Sequence, residues 1–408
     1  MVSTFLIDRV SIDYESREYE DLVTSLYRSW SRNEWVGLVH PREQSSWWAA
    51  IESSRHIEWP PGPGIILGSG GSTGGRRWCL QPLSHLQASA EATGQWLSII
   101  GVDPSSVTHF NPLPLHHVSG LIPLIRTVIW GGKSIKLSSK LRQFTRDDIP
   151  YVNTPSVISL VPTQLDRILS SIEGISWLKR FTVIWVGGAA LLPLQANISR
   201  KERLQLAPCY GSTETAAMVC AVSPHAFLQE KAEFLQPLMD VQLQVSNTTG
   251  SIEVATNRLS PGWIQNGTFH NLLAPGGWWR SGDKGILTQS GLVIQGRLDN
   301  AINSGGETIF PEQLEARLKR LANLKDMKLI EILIVSQPNN EWGEILIALI
   351  NCNETSSKAI ISDLQLAIKN WPFSEQPKRW IFCPTLVSST EGKWDREYWK
   401  EWTSSYLL

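Results

Sequence analysis

The 408-residue sequence predicts an α/β protein: a large N-terminal α/β domain over residues 1–298 and a small α+β domain over 299–408. Three observations predict it. Short β-rich runs alternate with helical patterns, as parallel sheets flanked by helices require. No period of 20–50 residues repeats, which sets solenoids and propellers aside. The texture changes at 297–307, and a compact βα pattern of domain size follows.

Ile65–Gly68 reads as a buried strand, followed by a Gly/Ser-rich stretch. Pro82 then opens a helix with Leu83, Leu86, Ala90, Thr93, Leu97 and Ile100 on one face, in steps of three and four. Val157–Val161, Phe181–Val186 and Leu204–Ala207 read as buried strands. Past Asn257 the pattern becomes short strands with Gly turns, as in Trp279–Gly285 and Gly291–Gly296. In the small domain Pro311 is placed as a first helical residue, with Leu314, Leu318 and Leu321 inward. Leu329–Val335 and Glu344–Ile350 read as strands and Ser356–Asn370 as a helix.

Composition excludes several classes. Lys plus Arg number 37 and Asp plus Glu 38, so no overall field collects nucleic acid or anionic lipid. Five scattered cysteines without a C-x-x-C pair argue against a disulfide framework or structural zinc and for a reducing compartment. The N-terminal apolar stretch is too short and too acidic at its flank for a signal peptide. Pro123 and Arg126 interrupt the apolar run Leu121–Trp130, which therefore cannot span a membrane. The expectation is a soluble cytoplasmic protein with neither nucleic acid nor membrane as partner. The 19 Trp outnumber Tyr and Phe together, and the sequence offers no reason.

Four motifs can carry chemistry. Ser69-Gly70-Gly71-Ser72-Thr73-Gly74-Gly75-Arg76-Arg77 follows a strand; its glycines let backbone N–H groups turn to an anion, and hydroxyls and arginines add donors. It lacks Walker spacing and reads equally as a phosphate cradle or a surface linker. Cys209-Tyr210-Gly211-Ser212-Thr213-Glu214-Thr215 sets a carboxylate beside hydroxyls, suited to Mg²⁺ on a nucleotide or to capping a helix. In Trp279-Arg280-Ser281-Gly282-Asp283 and Gly296-Arg297-Leu298-Asp299 an Asp can accept ribose hydroxyls, or the two are simple β-turns. Gly392-Lys393 sits in a polar loop where a lone Lys is ordinarily solvated.

Taken in order, these pieces resemble the adenylate-forming superfamily of acyl-CoA synthetases, adenylation domains and luciferases. SGGSTGG resembles its phosphate loop, PLHHVSG its acyl-pocket motif, VGGAAL its adenine wall and CYGSTET its most diagnostic stretch. WWRSGDKG resembles its ribose motif, GRLDNAINSGGETIFPEQLE its hinge, and NNEWGE and STEGK its C-terminal motifs. The match runs from Ile65 to about Trp394. Within the superfamily the chain most resembles the o-succinylbenzoate–CoA ligases of menaquinone and phylloquinone biosynthesis, on PLHHVSGL and the LVPTQLDRIL after it. Arg76 and Arg77 stand where Pro and Lys are usual, and only 68 residues precede the loop, which implies a reduced N-terminal part.

The resemblance implies two half-reactions: a carboxylate attacks ATP to give an acyl adenylate, then coenzyme A displaces AMP. It implies that Ser69, Gly71, Ser72, Thr73, Gly74 and Arg77 hold phosphates. Gly188, Ala189, Tyr210, Gly211 and Ser212 would border the nucleotide, and Asp283 and Arg297 the ribose. Thr213 would touch the α-phosphate, Glu214 would bind Mg²⁺, and Lys393 would bridge the attacking carboxylate. The small domain would be mobile about Asp299, with Gly305 and Gly306 along the coenzyme A channel. His117 would contact the acyl group or gate the thiol, with a core histidine as the plain alternative; His116 is read as structural. A substrate with two carboxylates needs a cation or several donors at its far end, and Arg126 and Arg258 are only guesses for that group. The function expected is an o-succinylbenzoate–CoA ligase. The alternatives are a ligase for another aryl or short acyl acid and an inactive nucleotide- or acyl-binding relative. Oligomeric state is left open, a homo-oligomer included.

Overall fold

The apolar run GIILGS makes Gly64–Ser69 a fully buried strand at the heart of the first of four sheets. The structure, a computed structural model, describes residues 2–6, 17–54, 59–69, 76–137, 152–229, 234–272, 276–325, 327–388 and 394–407. The first sheet runs Val2–Leu6, Trp35–Val39, Gly64–Ser69, Arg77–Pro82, Gly262–Gln265 and Thr268–Asn271. Its first three strands are parallel and the remaining pairings antiparallel.

Arg77–Pro82 is a strand the sequence did not reveal, because Arg77, Gln81 and Pro82 break its apolar pattern. It pairs antiparallel with Gly64–Ser69, setting Arg77 opposite Ser69. Pro82 is accordingly the N-cap, and the helix is Leu83–Ile99 with Leu86, Ala90, Thr93 and Leu97 buried.

The second sheet holds seven strands in the order Gln236–Pro237, Ala217–Ala221, Leu206–Ser212, Val183–Val186, Ser156–Leu160, Thr108–Asn111 and Lys133–Lys136. The five from Leu206–Ser212 to Lys133–Lys136 are parallel. Helices Val118–Trp130, Pro162–Leu169 and Pro193–Lys201 pack among them, so the carboxyl ends of the strands open on one side. That is where α/β sheets bind ligands. The third sheet, Gln242–Val245, Ser251–Ala255, Trp279–Thr288 and Gly291–Arg297, is antiparallel.

Beyond Ile302 lie the strands Ile302–Ser304, Glu307–Ile309, Leu329–Asn339, Gly343–Cys352 and Arg379–Phe382 and the helices Pro311–Leu324, Ser357–Ile368 and Arg396–Tyr406. Two hydrophobic clusters there, around Leu318–Ile350 and Leu349–Trp399, contain no residue before Ile302.

Several tryptophans now have a reason. Side chains at Gly37, Gly64 and Gly305 would overlap the rings of Trp47, Trp35 and Trp342. Broad indoles thus pack against bare backbone, and Trp35 and Trp47 are buried there, where an indole covers a large apolar area. Some indole N–H groups find acceptors, Trp35 Nε1 donating to Pro60 O at 2.9 Å and Trp130 Nε1 to Ala90 O at 2.8 Å, whereas those of Trp185 and Trp263 are buried without a partner among the described residues. All five cysteines are free thiols, four of them buried. Among the described residues no helix is long and apolar enough to cross a membrane.

Candidate active site

A cleft of about 1840 Å³ lies over the carboxyl ends of the second sheet, bounded also by the first and third sheets and by helix Pro311–Leu324. One wall begins where Val183–Val186 runs into Gly187-Gly188-Ala189. Gly188 has φ +82°, a conformation glycine adopts without the Cβ penalty. Beside it, Leu206–Ser212 carries Tyr210, Gly211 and Ser212 to the cleft.

Asp283 and Arg297 oppose each other on adjacent strands, and Arg297 Nη1 lies 3.5 Å from Asp283 Oδ1. Tyr210 Oη donates to Asp283 Oδ2 at 2.6 Å, and Arg297 Nη2 meets Asp299 Oδ2 at 2.8 Å. Burial holds the Asp283 carboxyl above the usual aspartate range, against the opposing pull of Tyr210 and Arg297. These residues come from three separate motifs, and all four line the cleft.

The Ser212–Thr215 stretch does not cap a helix; it turns directly into the strand Ala217–Ala221. Thr215 Oγ1 donates to Ala217 O at 2.7 Å and accepts from Ser212 N at 3.0 Å. Ala216 and Ala217 have φ of 51° and 82°. A left-handed non-glycine residue costs about 1–3 kcal/mol, so the surroundings must impose this turn. Gly211 is required because any side chain there would overlap the Ala217 carbonyl. The turn sends Thr213 and Glu214 to the cleft. Gln81 Nε2 holds Thr213 O at 2.6 Å from 132 residues away.

At the ends of the glycine-rich stretch Ser69 and Arg77 line the cleft, and the Arg77 guanidinium stacks 5.1 Å over Trp263. The buried Ser69 Oγ has no hydrogen-bond partner among the described residues. Arg76 turns away to Glu43 at 2.8 Å, so only one of the paired arginines reaches the cleft. Gly71, Ser72, Thr73 and Gly74 lie outside the described residues, as does Lys393. Trp394 and Arg396, which follow Lys393, do line the cleft. Arg396 is anchored by two bonds to buried Glu315, at 2.8 and 2.9 Å.

His117 is the N-cap of helix Val118–Trp130 and faces the cleft. Its ring lies 4.4 Å from that of buried His116, itself 5.2 Å from His40. His40, Pro41 and Arg42, just past the strand Trp35–Val39, close that side of the cleft. Nothing in their sequence marked them, since the wall is made by the parallel pairing of Trp35–Val39 beside Gly64–Ser69.

The two guesses for an acyl-end cation separate. Arg126 lines the cleft at 3% exposure, its guanidinium 4.8 Å over Trp185 and 5.7 Å over Trp130. Its Nη2 donates to Thr93 Oγ1 at 3.3 Å, and its Nε has no partner among the described residues. Burial and Arg126 together hold His109 well below the usual histidine range. Arg258, by contrast, does not line the cleft and is fully buried behind the Thr215–Met218 turn. It therefore cannot meet an acyl group. Gly305 and Gly306, with φ of 61° and 83°, make the turn between Ile302–Ser304 and Glu307–Ile309, outside the cleft lining.

Residues 34–257, more than half the chain, match the family described as AMP-binding enzyme. The chain belongs to that family. AMP-binding enzymes most similar to it include the 2-succinylbenzoate–CoA ligase of Enterococcus faecalis, 27% identical over 80% of this chain and 67% of that protein. The ligase of the same name from Listeria monocytogenes is 26% identical over 82% of this chain and 69% of its own length. That of Escherichia coli is 28% identical over 71% and 59%. Among solved structures, wild-type E. coli MenE with a bound analogue of OSB-AMS superposes with a TM-score of 0.62. It is 25% identical, over 85% of this chain and 71% of that one. The o-succinylbenzoate CoA synthetase of Bacillus subtilis, complexed with the acyl-adenylate OSB-AMP, gives a TM-score of 0.76. At 18% identity over 98% of this chain and 88% of that one, it shows the AMP-binding fold.

Proposed function

We propose that this AMP-binding enzyme is an ATP-dependent o-succinylbenzoate–CoA ligase. The observation that carries the substrate assignment is Arg126. A buried guanidinium with an unpartnered N–H is costly in an apolar pocket, and a pocket for a plain acyl chain has no use for it. A second carboxylate would satisfy it. Ser159, at the end of the neighbouring strand, lines the same cleft and offers a hydroxyl.

In this reading Asp283 accepts the ribose hydroxyls while Arg297 holds it in place; Gly188, Ala189 and Tyr210 border adenine. Thr213 and the loop that starts at Ser69 hold the phosphates, with Arg77 adding charge. The substrate carboxylate attacks the α-phosphorus, pyrophosphate leaves, and Lys393 bridges the carboxylate and the nucleotide oxygens. The thiol of coenzyme A then attacks the acyl carbonyl and expels AMP. The small domain from Asp299 onward would carry Lys393 away for that step, bringing Gly305 and Gly306 to the pantetheine path. Both steps depend on positioning and charge neutralisation rather than on a covalent enzyme intermediate.

The residues fit Mg²⁺. Glu214 puts one carboxylate in the cleft beside Thr213, and no cluster of three metal-binding side chains exists among the described residues. Mg²⁺ is commonly held by one or two carboxylates and the substrate phosphates rather than by a protein cage. When bound it would neutralise charge on the departing pyrophosphate. Soluble substrates and five free thiols support a cytoplasmic setting.

ATP–pyrophosphate exchange with o-succinylbenzoate, benzoate, a fatty acid or no acid tests the reading, repeated with coenzyme A to follow AMP release. Exchange and coenzyme A-dependent turnover with o-succinylbenzoate alone are expected. Exchange with another acid keeps the mechanism and discards the substrate. Nucleotide binding without exchange for any acid makes the chain an inactive relative.

A further inference from the structure

The geometry points to Arg258 as a positioning residue for the turn that presents Thr213 and Glu214 to the cleft. This rests on the ligase reading only for the role given to those two side chains. Arg258 Nη1 donates to Thr215 O at 2.6 Å and Nη2 to Met218 O at 2.9 Å, so one planar fork spans both ends of the left-handed Ala216–Ala217 pair. The fork is aimed by Asp240, whose Oδ2 lies 2.6 Å from Nε.

The carbonyls between are taken as well. Ser89 Oγ donates to Ala216 O at 2.5 Å and Thr215 Oγ1 to Ala217 O at 2.7 Å. On the other flank Gln81 Nε2 holds Thr213 O and Ser260 N donates to Glu214 O at 2.8 Å. Every carbonyl from Thr213 to Met218 is thus held by a hydrogen bond. Two successive alanines would not adopt positive φ unaided. The clamp imposes it, and the imposed turn swings residues 213 and 214 toward the ligand side. Arg258 supplies two of these bonds and is the one cation in the clamp. A fold that needed only a tight hairpin could have used glycine at both positions.

The test uses Arg258→Lys in the full chain. Lysine keeps a charge opposite Asp240 but lacks the fork that reaches both carbonyls. Calorimetry would measure binding of AMP without metal and of ATP with and without Mg²⁺, alongside thermal melting. The expected result is only a few-fold loss in AMP affinity, from the loosened Thr213 contact to the α-phosphate, with a larger, roughly 10- to 100-fold loss in the Mg²⁺-dependent gain in ATP affinity. Raising Mg²⁺ should restore much of it. Leu364→Ala, a cavity in the remote C-terminal core, supplies the control for general destabilisation. If Arg258→Lys does not fold, Ser89→Ala, which removes one carbonyl bond of the same clamp, takes its place in the same titration.

An unchanged Mg²⁺-dependent gain overturns the inference, as does an equal loss in AMP binding or in Leu364→Ala. So does a parent protein whose ATP affinity ignores Mg²⁺. A parent that binds ATP with Mg²⁺ but exchanges no pyrophosphate ends the ligase reading and leaves the Arg258 test standing.

Discussion

The phenol of Tyr210 donates a 2.6 Å hydrogen bond to the Asp283 carboxylate, which sits opposite Arg297 on the neighbouring strand. Asp283 is therefore oriented without any ligand, with lone pairs still open. Its raised pKa sets a sign. The carboxylate form, proposed above to accept the ribose hydroxyls, is lost as pH falls, and lost earlier than for an exposed aspartate. Tyr210→Phe removes a bond that stabilises the charged form and pushes the pKa up further. The acid limb of AMP binding, followed by calorimetry across pH, should move to higher pH in this variant. A limb that stays put disconnects Tyr210 from Asp283. Asp283→Asn should weaken AMP roughly 10- to 100-fold and abolish the limb, since a charge-assisted bond contributes about 1.5–3 kcal/mol.

Arg126→Met should raise KM for o-succinylbenzoate by about 10- to 100-fold, on the same scale for one charged bond. Exchange supported by a monocarboxylate should stay level or improve, because the variant removes a buried cation. Steady-state KM values for both acids check this, and parallel losses would take Arg126 out of the acyl site.

Lys393→Ala should cut adenylation about 10²- to 10³-fold and largely spare thioester formation from a preformed adenylate. Single-turnover assays of each half-reaction separate the two. Equal loss in both would remove Lys393 from its bridging role.

Lys136 donates a hydrogen bond to Leu113 O at 9% exposure, and burial lowers its pKa to about 8. Unfolded, the amine titrates near 10.5, so between those values the unfolded chain binds more protons. Stability should then rise with pH from about 8 to about 10.5, and the buried charge costs most at and below pH 8. Lys136→Met should melt higher at pH 7, with a gain of about 1–3 kcal/mol, and should flatten the pH dependence. Melting scans from pH 7 to 10 read both effects; a lower melt at pH 7 would mean that the bond to Leu113 O outweighs the cost of burying the charge.

The sequence by itself determined the parts that local chemistry encodes. Apolar runs that end in glycine mark Gly64–Ser69 and Val183–Val186, because a buried strand must stop where the chain turns at its carboxyl end. The order of the motifs marked Tyr210, Glu214, Asp283 and Arg297 as one site, and the structure gathers them in one cleft.

Tertiary structure decided what depends on partners far along the chain. Arg126 and Arg258 are the same residue type and both are buried, yet one faces the cleft and the other clamps a turn behind it. Only the packing of Val118–Trp130 against Trp185, and of Arg258 between Asp240 and Thr215, separates them. Gln81 lies in a strand too polar to be read as buried, and its value comes from a carbonyl 132 residues away. His40 becomes a wall of the cleft because its strand pairs beside Gly64–Ser69. Local pattern reports which face of an element is apolar; it carries no record of which distant carbonyl, ring or carboxylate will meet that face.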